Sequence, residues 1–200
     1  GMFPQEDHML GFIASLGIAT NCTKERHFKN QVIILNGQNV WNYSDEELKD
    51  MFAHNRLILD GVAALYLKER NLLHLLHAQD VIPHDTCGNF VTNVRLKNKT
   101  FRGIKDYRAP VDEQASSLFT EIIYEDDVKE VLQAENEYGV RVCNAESCRD
   151  NFYIFPCAFD QYAPAMFSMM RRQCLLDWLF TGEKACATAH EGLYVYVYEQ

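Results

Sequence analysis

The chain has 200 residues, 48% of them hydrophobic, enough for one good core and for a single main domain with at most a small appendage. Its net charge of −9 and isoelectric point near 5.2 argue against a nucleic-acid surface, and Arg171 with Arg172 is too small a group to count as a basic cluster. No apolar run approaches the ~20 residues that span a bilayer, and the first residues lack the basic-then-apolar order of a secretion signal, so neither a membrane nor an export address is expected.

Gly1 ahead of Met2 reads as a scar of tag cleavage, which leaves open both the compartment and whether the chain belongs to something longer. Residues 5–16 place Met9, Phe12, Ile13 and Leu16 at helical spacing. Gly17 is the expected stop, with Ile18–Thr20 a short strand after it. Two uninterrupted apolar runs follow, Val32–Leu35 and Leu57–Leu59, each closed by a polar residue and glycine: Asn36-Gly37 and Asp60-Gly61. Continuous apolar runs suit strands buried on both faces, as parallel strands under helices are. Between them, Ser44 and Glu47 form a capping box, Tyr43 and Leu48 fit a hydrophobic staple, and Leu48, Met51 and Phe52 make a buried stripe ending at His54-Asn55. After Asp60-Gly61 a helix is expected with Val62, Leu65, Tyr66, Leu72, Leu73 and Leu76 near one face and Lys68, Glu69 and Arg70 on the other. This strand–helix–strand–helix order predicts an α/β fold with a mostly parallel central sheet, whose ligand side lies at the carboxyl ends of the strands.

From Gln79 to Pro110 the pattern loosens; Pro83, Gly88, Gly103 and Pro110 are read as turns around one strand, Phe90–Leu96. Strands are expected again at Phe119–Tyr124, Val128–Gln133, Val140–Asn144 and Asn151–Cys157, the last two forming a hairpin around a polar NAESCRDN turn whose second strand enters the core. Pro164 opens a helix to about Thr181, with Phe167, Met170, Cys174, Leu175, Trp178 and Leu179 on one face and Gly182 as its terminator. At the end, Leu193, Val195 and Val197 alternate with Tyr194, Tyr196 and Tyr198. This is a strand that either pairs back near Ala185–Thr188 or begins a further β domain.

Seven cysteines without a CxxC pair read as reduced core thiols, with Cys143 and Cys148 the one pair spaced for a local disulfide in an oxidising compartment. His74, His77, His84 and Cys87 are borderline metal ligands, but their spacing fits no standard zinc arrangement, and an exposed helix edge is the expected role of His74 and His77. No metal or cofactor is expected. Glycosidase chemistry needs two carboxylates facing each other across roughly 5–9.5 Å, but Glu46, Glu47 and Asp50 belong to a solvated helix face and Glu125–Asp127 read as a turn or helix start. Asp60 stands apart because it ends a core strand; helix capping is its simplest role and ligand contact the alternative. With Asn36, Gly37, Gly61 and the loop residue Trp41, an aromatic suited to an exposed contact, it makes up the candidate ligand site. Asn21, Asn42 and Asn98 begin Asn-x-Ser/Thr triplets, which matter only in a secreted context.

The segments VIILNG, SDEELKDMF and LILDGVAALYLKERNL, followed by NFYIFPCAF and APAMFSMMRRQCLLDWLFTG, resemble the class I glutamine amidotransferase-like fold. More narrowly they look like the non-catalytic version found beside the catalytic barrel in some glycoside hydrolases, the β-galactosidase trimerisation-domain type. The resemblance implies a flavodoxin-like three-layer domain over residues 1–183 and a C-terminal β extension over 184–200 that leads into a further β domain. Catalytic members carry a nucleophilic cysteine on a strained strand-to-helix turn, with a histidine from a later strand end. The matching turn here, Asp60-Gly61-Val62, has neither cysteine nor serine, and the adjacent His190-Glu191 departs from the family's His-x-Glu spacing. No catalytic residue is therefore expected. The implied role is a non-catalytic accessory or oligomerisation domain of a carbohydrate-active protein, whose partner is a second copy or a glycoside hydrolase catalytic domain. The alternatives are a hydrolase or a small-ligand-binding module that uses the strand-end crevice.

Overall fold

In the computed structural model, residues 13–14, 16–85, 89–96, 99–108, 118–126, 129–135, 141–155 and 175–180 are described. Among them the elements run β1 (Val32–Leu35), α1 (Gly37–Val40), α2 (Asp45–His54), β2 (Arg56–Leu59), α3 (Gly61–Glu69), a 3-10 turn (Leu73–Leu76), β3 (Ala78–Asp85), β4 (Asn89–Leu96), β5 (Lys99–Arg108), β6 (Leu118–Tyr124), β7 (Lys129–Glu135), β8 (Arg141–Arg149) and β9 (Phe152–Ile154). A helical segment over 175–179 comes last.

The two apolar runs form parallel neighbours, Val32 opposite Arg56 and Leu35 opposite Leu59, and β9 lies parallel on the far side of β2 with Leu57 opposite Phe152. Burial on both faces explains why these strands do not alternate in the sequence: Leu57, Ile58 and Leu59 are all buried. Leu35, Leu57, Leu59, Phe152 and Ile154 share one cluster with Leu48, Met51 and Phe52 of α2 and Ala63, Ala64 and Leu67 of α3, so both helices cover one face. Ile58 and Tyr153 sit at the intervening positions, outside that cluster, and meet the other face. There Trp178 packs edge-on against Tyr153, ring centroids 5.8 Å apart. Helices therefore flank both faces of this part of the sheet, an α/β arrangement.

Helix α2 starts where the capping box predicts. Ser44 Oγ accepts from the Glu47 N–H and Glu47 Oε2 accepts from the Ser44 N–H, with Leu48, Met51 and Phe52 buried. In α3 the buried positions are Gly61, Ala63, Ala64 and Leu67, while Val62, Leu65 and Tyr66 are only half-buried. The expected stripe is displaced because α1 and the sheet approach α3 closely and small residues must face them. The helix also stops earlier than its pattern suggests. Asn71 takes a left-handed φ of 59°, and buried Leu72 and Leu76 belong to the turn beyond it.

The seven-stranded sheet has the order β1-β2-β9-β8-β7-β4-β5, and β3 pairs with β6 in a separate two-stranded ribbon. The parallel part is three strands wide; the other four pairings in the large sheet are antiparallel. The antiparallel addition is thus larger than the sequence suggests. Pro83 lies within β3 instead of marking a turn, opposite Thr120. A two-stranded ribbon leaves each strand one unpaired edge, where a residue without an N–H is tolerated. Gly103 likewise lies inside β5. Thr92 faces Ile104 and Val94 faces Phe101, so one extra residue bulges out between them, beside that glycine. Ile18–Thr20 is not a strand.

The polar NAESC stretch continues β8, and only Asp150-Asn151 turns the chain into β9, which enters the core as expected. This rules out the Cys143–Cys148 disulfide. Two residues five apart on one strand are separated by about 17 Å, far beyond the roughly 7 Å limit for a bridge. Cys148 is buried and makes no disulfide, and lies opposite Lys129 and Tyr153 in the sheet. The expectations for residues 5–12, Gly88, Pro110, Cys157, Pro164–Cys174, Gly182, His190-Glu191 and the C-terminal tyrosine-rich strand lie outside the described residues, as does the 184–200 extension. No described helix is long and apolar enough to cross a membrane.

Candidate functional site

The structure brings the strand-end candidates together and gives most of them structural work. Asp60, buried at 2% exposure, accepts the Ala63 N–H at 2.8 Å and caps α3. Its backbone is ordinary extended chain, φ −106° and ψ 169°. Positive φ among the described residues falls only at Gly17, Asn30, Asn71 and His77, so the turn after β2 lacks the strained conformation that exposes a nucleophile. Gly61 is the buried first residue of α3. At Gly37 a side-chain carbon would lie 2.3 Å from Val62 Cγ1. The ends of β1 and β2 are therefore bridged by a tight α1–α3 contact. Both helices lie on one face, so the strand order does not reverse between β1 and β2, the arrangement that opens a ligand crevice in such sheets.

Trp41 is 58% exposed in the turn between α1 and α2, its ring edge-on to Tyr66 with centroids 4.9 Å apart. Next to it, Arg70 Nε donates to Asp45 Oδ1 at 2.8 Å and Arg70 Nη1 to the Val40 carbonyl at 3.0 Å, locking α3 to the start of α2. Arg26 does the same for the segment before β1. Its guanidinium forks onto Glu47, Nε–Oε1 at 2.6 Å and Nη2–Oε2 at 2.7 Å, donates to the Asn42 carbonyl and lies over the Tyr43 ring. That fork, reinforced by the Ser44 N–H, pulls the Glu47 carboxyl down to about 2. Glu46 is exposed on α2 as expected, whereas Asp50 is half-buried and Glu47 is largely covered, with 17% side-chain exposure under Arg26.

The metal candidates do not assemble. His74 and His77 are exposed on the 3-10 turn and just after it. Among the described residues no group of three histidines, cysteines or carboxylates is placed to hold an ion. His84 falls in β3, and Cys87 lies outside the described residues.

Asn36 is the exception among the strand-end residues. It is 95% buried by complement of its 5% exposure, and its Oδ1 caps the four-residue α1 by accepting the Asn39 N–H at 2.9 Å. It also lines an open cavity of about 880 Å³ beside β1, together with Asn39, Tyr43, Ile34, Ile58 and Phe180. Sequence reasoning placed Asn36 at a ligand side and counted Tyr43 among the aromatics able to stack on a sugar, but it missed Asn39, Ile34, Ile58 and Phe180. The cavity joins a loop, an edge strand and the 175–180 segment, which no local spacing relates to one another.

No protein-family model matches the chain, and no curated protein matches it at a significant level.

Proposed function

We propose that the chain is a non-catalytic accessory or oligomerisation domain, glutamine amidotransferase-like and flavodoxin-like, of a carbohydrate-active protein, working through contact with a second copy or with a glycoside hydrolase catalytic domain. The observation that carries this reading is the β2–α3 turn. Where a catalytic relative would hold a thiol on a strained elbow, this chain has Asp60 in relaxed backbone, buried and capping α3. The α/β core with its two locally connected parallel strands supports the same reading. Exposed Trp41 on Tyr66 is the kind of rigid aromatic anchor that subunit contacts use.

Light scattering coupled to gel filtration tests it. A concentration-dependent rise above 23.1 kDa that weakens in Trp41→Ala is the expected result. A strict monomer at every concentration would remove the self-association arm. Hydrolysis of nitrophenyl glycosides or esters that disappears in a folded Asp60→Asn variant would overturn the non-catalytic reading altogether.

A further inference from the structure

We infer that the cavity beside β1 is a binding site for a small neutral hydroxylated ligand, a mono- or disaccharide, held by Asn36, Asn39 and Tyr43. The Asn36 side chain is almost fully buried, yet only its oxygen is engaged, as the cap of α1. Its amide N–H groups have no partner among the described residues, on a side chain that lines the cavity. The amide nitrogen keeps access to solvent through the cavity, where a ligand acceptor oxygen can take the place of water. Asn39 and Tyr43 line the same space, half-buried, and neither the Asn39 carboxamide nor the Tyr43 hydroxyl has a hydrogen-bond partner among the described residues.

The chemistry of the lining narrows the ligand. Amides and a phenol donate and accept without charge, which matches hydroxyl groups, themselves both donors and acceptors. The charged residues on the lining, Lys29 and Glu25, offset one another and select for neither anion nor cation. Ile34, Ile58 and Phe180 supply an apolar wall for the C–H face of a sugar ring. The volume, about 880 Å³, falls within the roughly 300–1,000 Å³ range of small-molecule sites. This site goes beyond the scaffold reading and stands whether or not the chain self-associates.

The experiment is a saturation-transfer NMR titration of the intact chain with methyl α-glucoside, methyl α-mannoside and methyl β-galactoside, with adenosine monophosphate as the charged comparator. Saturable binding of at least one glycoside is expected, with none of the nucleotide. Asn36→Asp retains the capping oxygen but loses the amide donors, and its affinity should fall about tenfold with the fold intact. Asn39→Ala keeps the backbone N–H that Asn36 accepts and removes only a half-buried carboxamide without a described partner, so it should weaken the same ligand and serves as the variant least able to unfold the chain. Binding of no glycoside, binding of the nucleotide alone, or glycoside binding undiminished in the folded variants would each overturn the inference.

Discussion

At Gly37 a single methyl group decides whether α1 and α3 can meet. A β-carbon there would lie 2.3 Å from Val62 Cγ1 and 2.6 Å from its Cβ, both on a branched side chain with one preferred rotamer in a helix. Gly37→Ala should therefore cost roughly 1–3 kcal/mol by overpacking. In a Val62→Ala background most of that cost should vanish, a coupling of about 1 kcal/mol or more. Urea unfolding of the four proteins in the cycle measures it, and additive effects would show that α1 moves aside freely. Asp60 tests the neighbouring contact. Asp60→Ala removes the acceptor of a buried helix N–H and should cost about 1–3 kcal/mol, whereas Asp60→Asn keeps an acceptor oxygen and should cost less. If the two variants unfold at the same denaturant midpoint, capping is not what Asp60 does. The capping role was legible in the sequence because an aspartate before a glycine and an apolar helical run is a local signal. The Gly37–Val62 contact was not, since Asn-Gly by itself says only that the chain turns.

At the scale of elements, local signals again separate what the sequence shows from what it hides. Helix α2 was legible from Ser44 to His54 because its start signal and its buried stripe lie within eleven residues. Its outer clamp was not, because Arg26 reaches Glu47 across 21 positions that include β1 and α1. Strand β8 hides for a different reason. Its NAESC stretch is polar and reads as a turn, yet Ser147 and Cys148 are buried, the serine hydroxyl 2.5 Å from the Tyr124 hydroxyl of β6. Burial of a polar run becomes visible only once its partner strand is in place. The Arg26 clamp carries a pH signature. Glu47 is held at about 2 against an ordinary 4.5, a lowered value, so its contribution to stability is fully present above pH 4.5 and is lost as the pH falls toward 2. Glu47→Gln keeps the side-chain length and the cap but no longer titrates. Its melting temperature should lose less between pH 5 and pH 2 than the unmodified protein's, as read from thermal melts at low salt; parallel curves would remove the Arg26–Glu47 pair from the acid response.

For the whole molecule, the division follows chain separation. The pairing of β1 with β2 is closed by a short local crossover and is written in two adjacent apolar runs. The neighbour of β2 on its other side, β9, lies almost a hundred residues further on, after the whole antiparallel addition. Nothing local marks that partner; its only sequence trace is the apolar run FYIF. Arg56 ties these distant pieces together. From the first position of β2 its guanidinium donates to the Asp150 carbonyl in the β8–β9 turn at 3.1 Å, to the Leu179 carbonyl at 2.9 Å and to the Trp178 carbonyl, and stacks 3.9 Å from the Trp178 ring centroid. One side chain thereby joins the parallel core, the entry of β9 and the helical segment on the opposite face. Three carbonyl contacts and a partly shielded cation–π contact set the loss in Arg56→Ala at about 2–4 kcal/mol. Arg56→Lys keeps the charge but cannot form the planar fork, and should recover less than half of that. Trp178 reports the event directly. In a Trp41→Phe background, which leaves Trp178 as the only tryptophan, its emission should shift to the red in Arg56→Ala under native conditions, as the 175–180 segment loosens from Tyr153. An unchanged spectrum with an unchanged unfolding midpoint would mean that the two faces of the sheet are held together without Arg56.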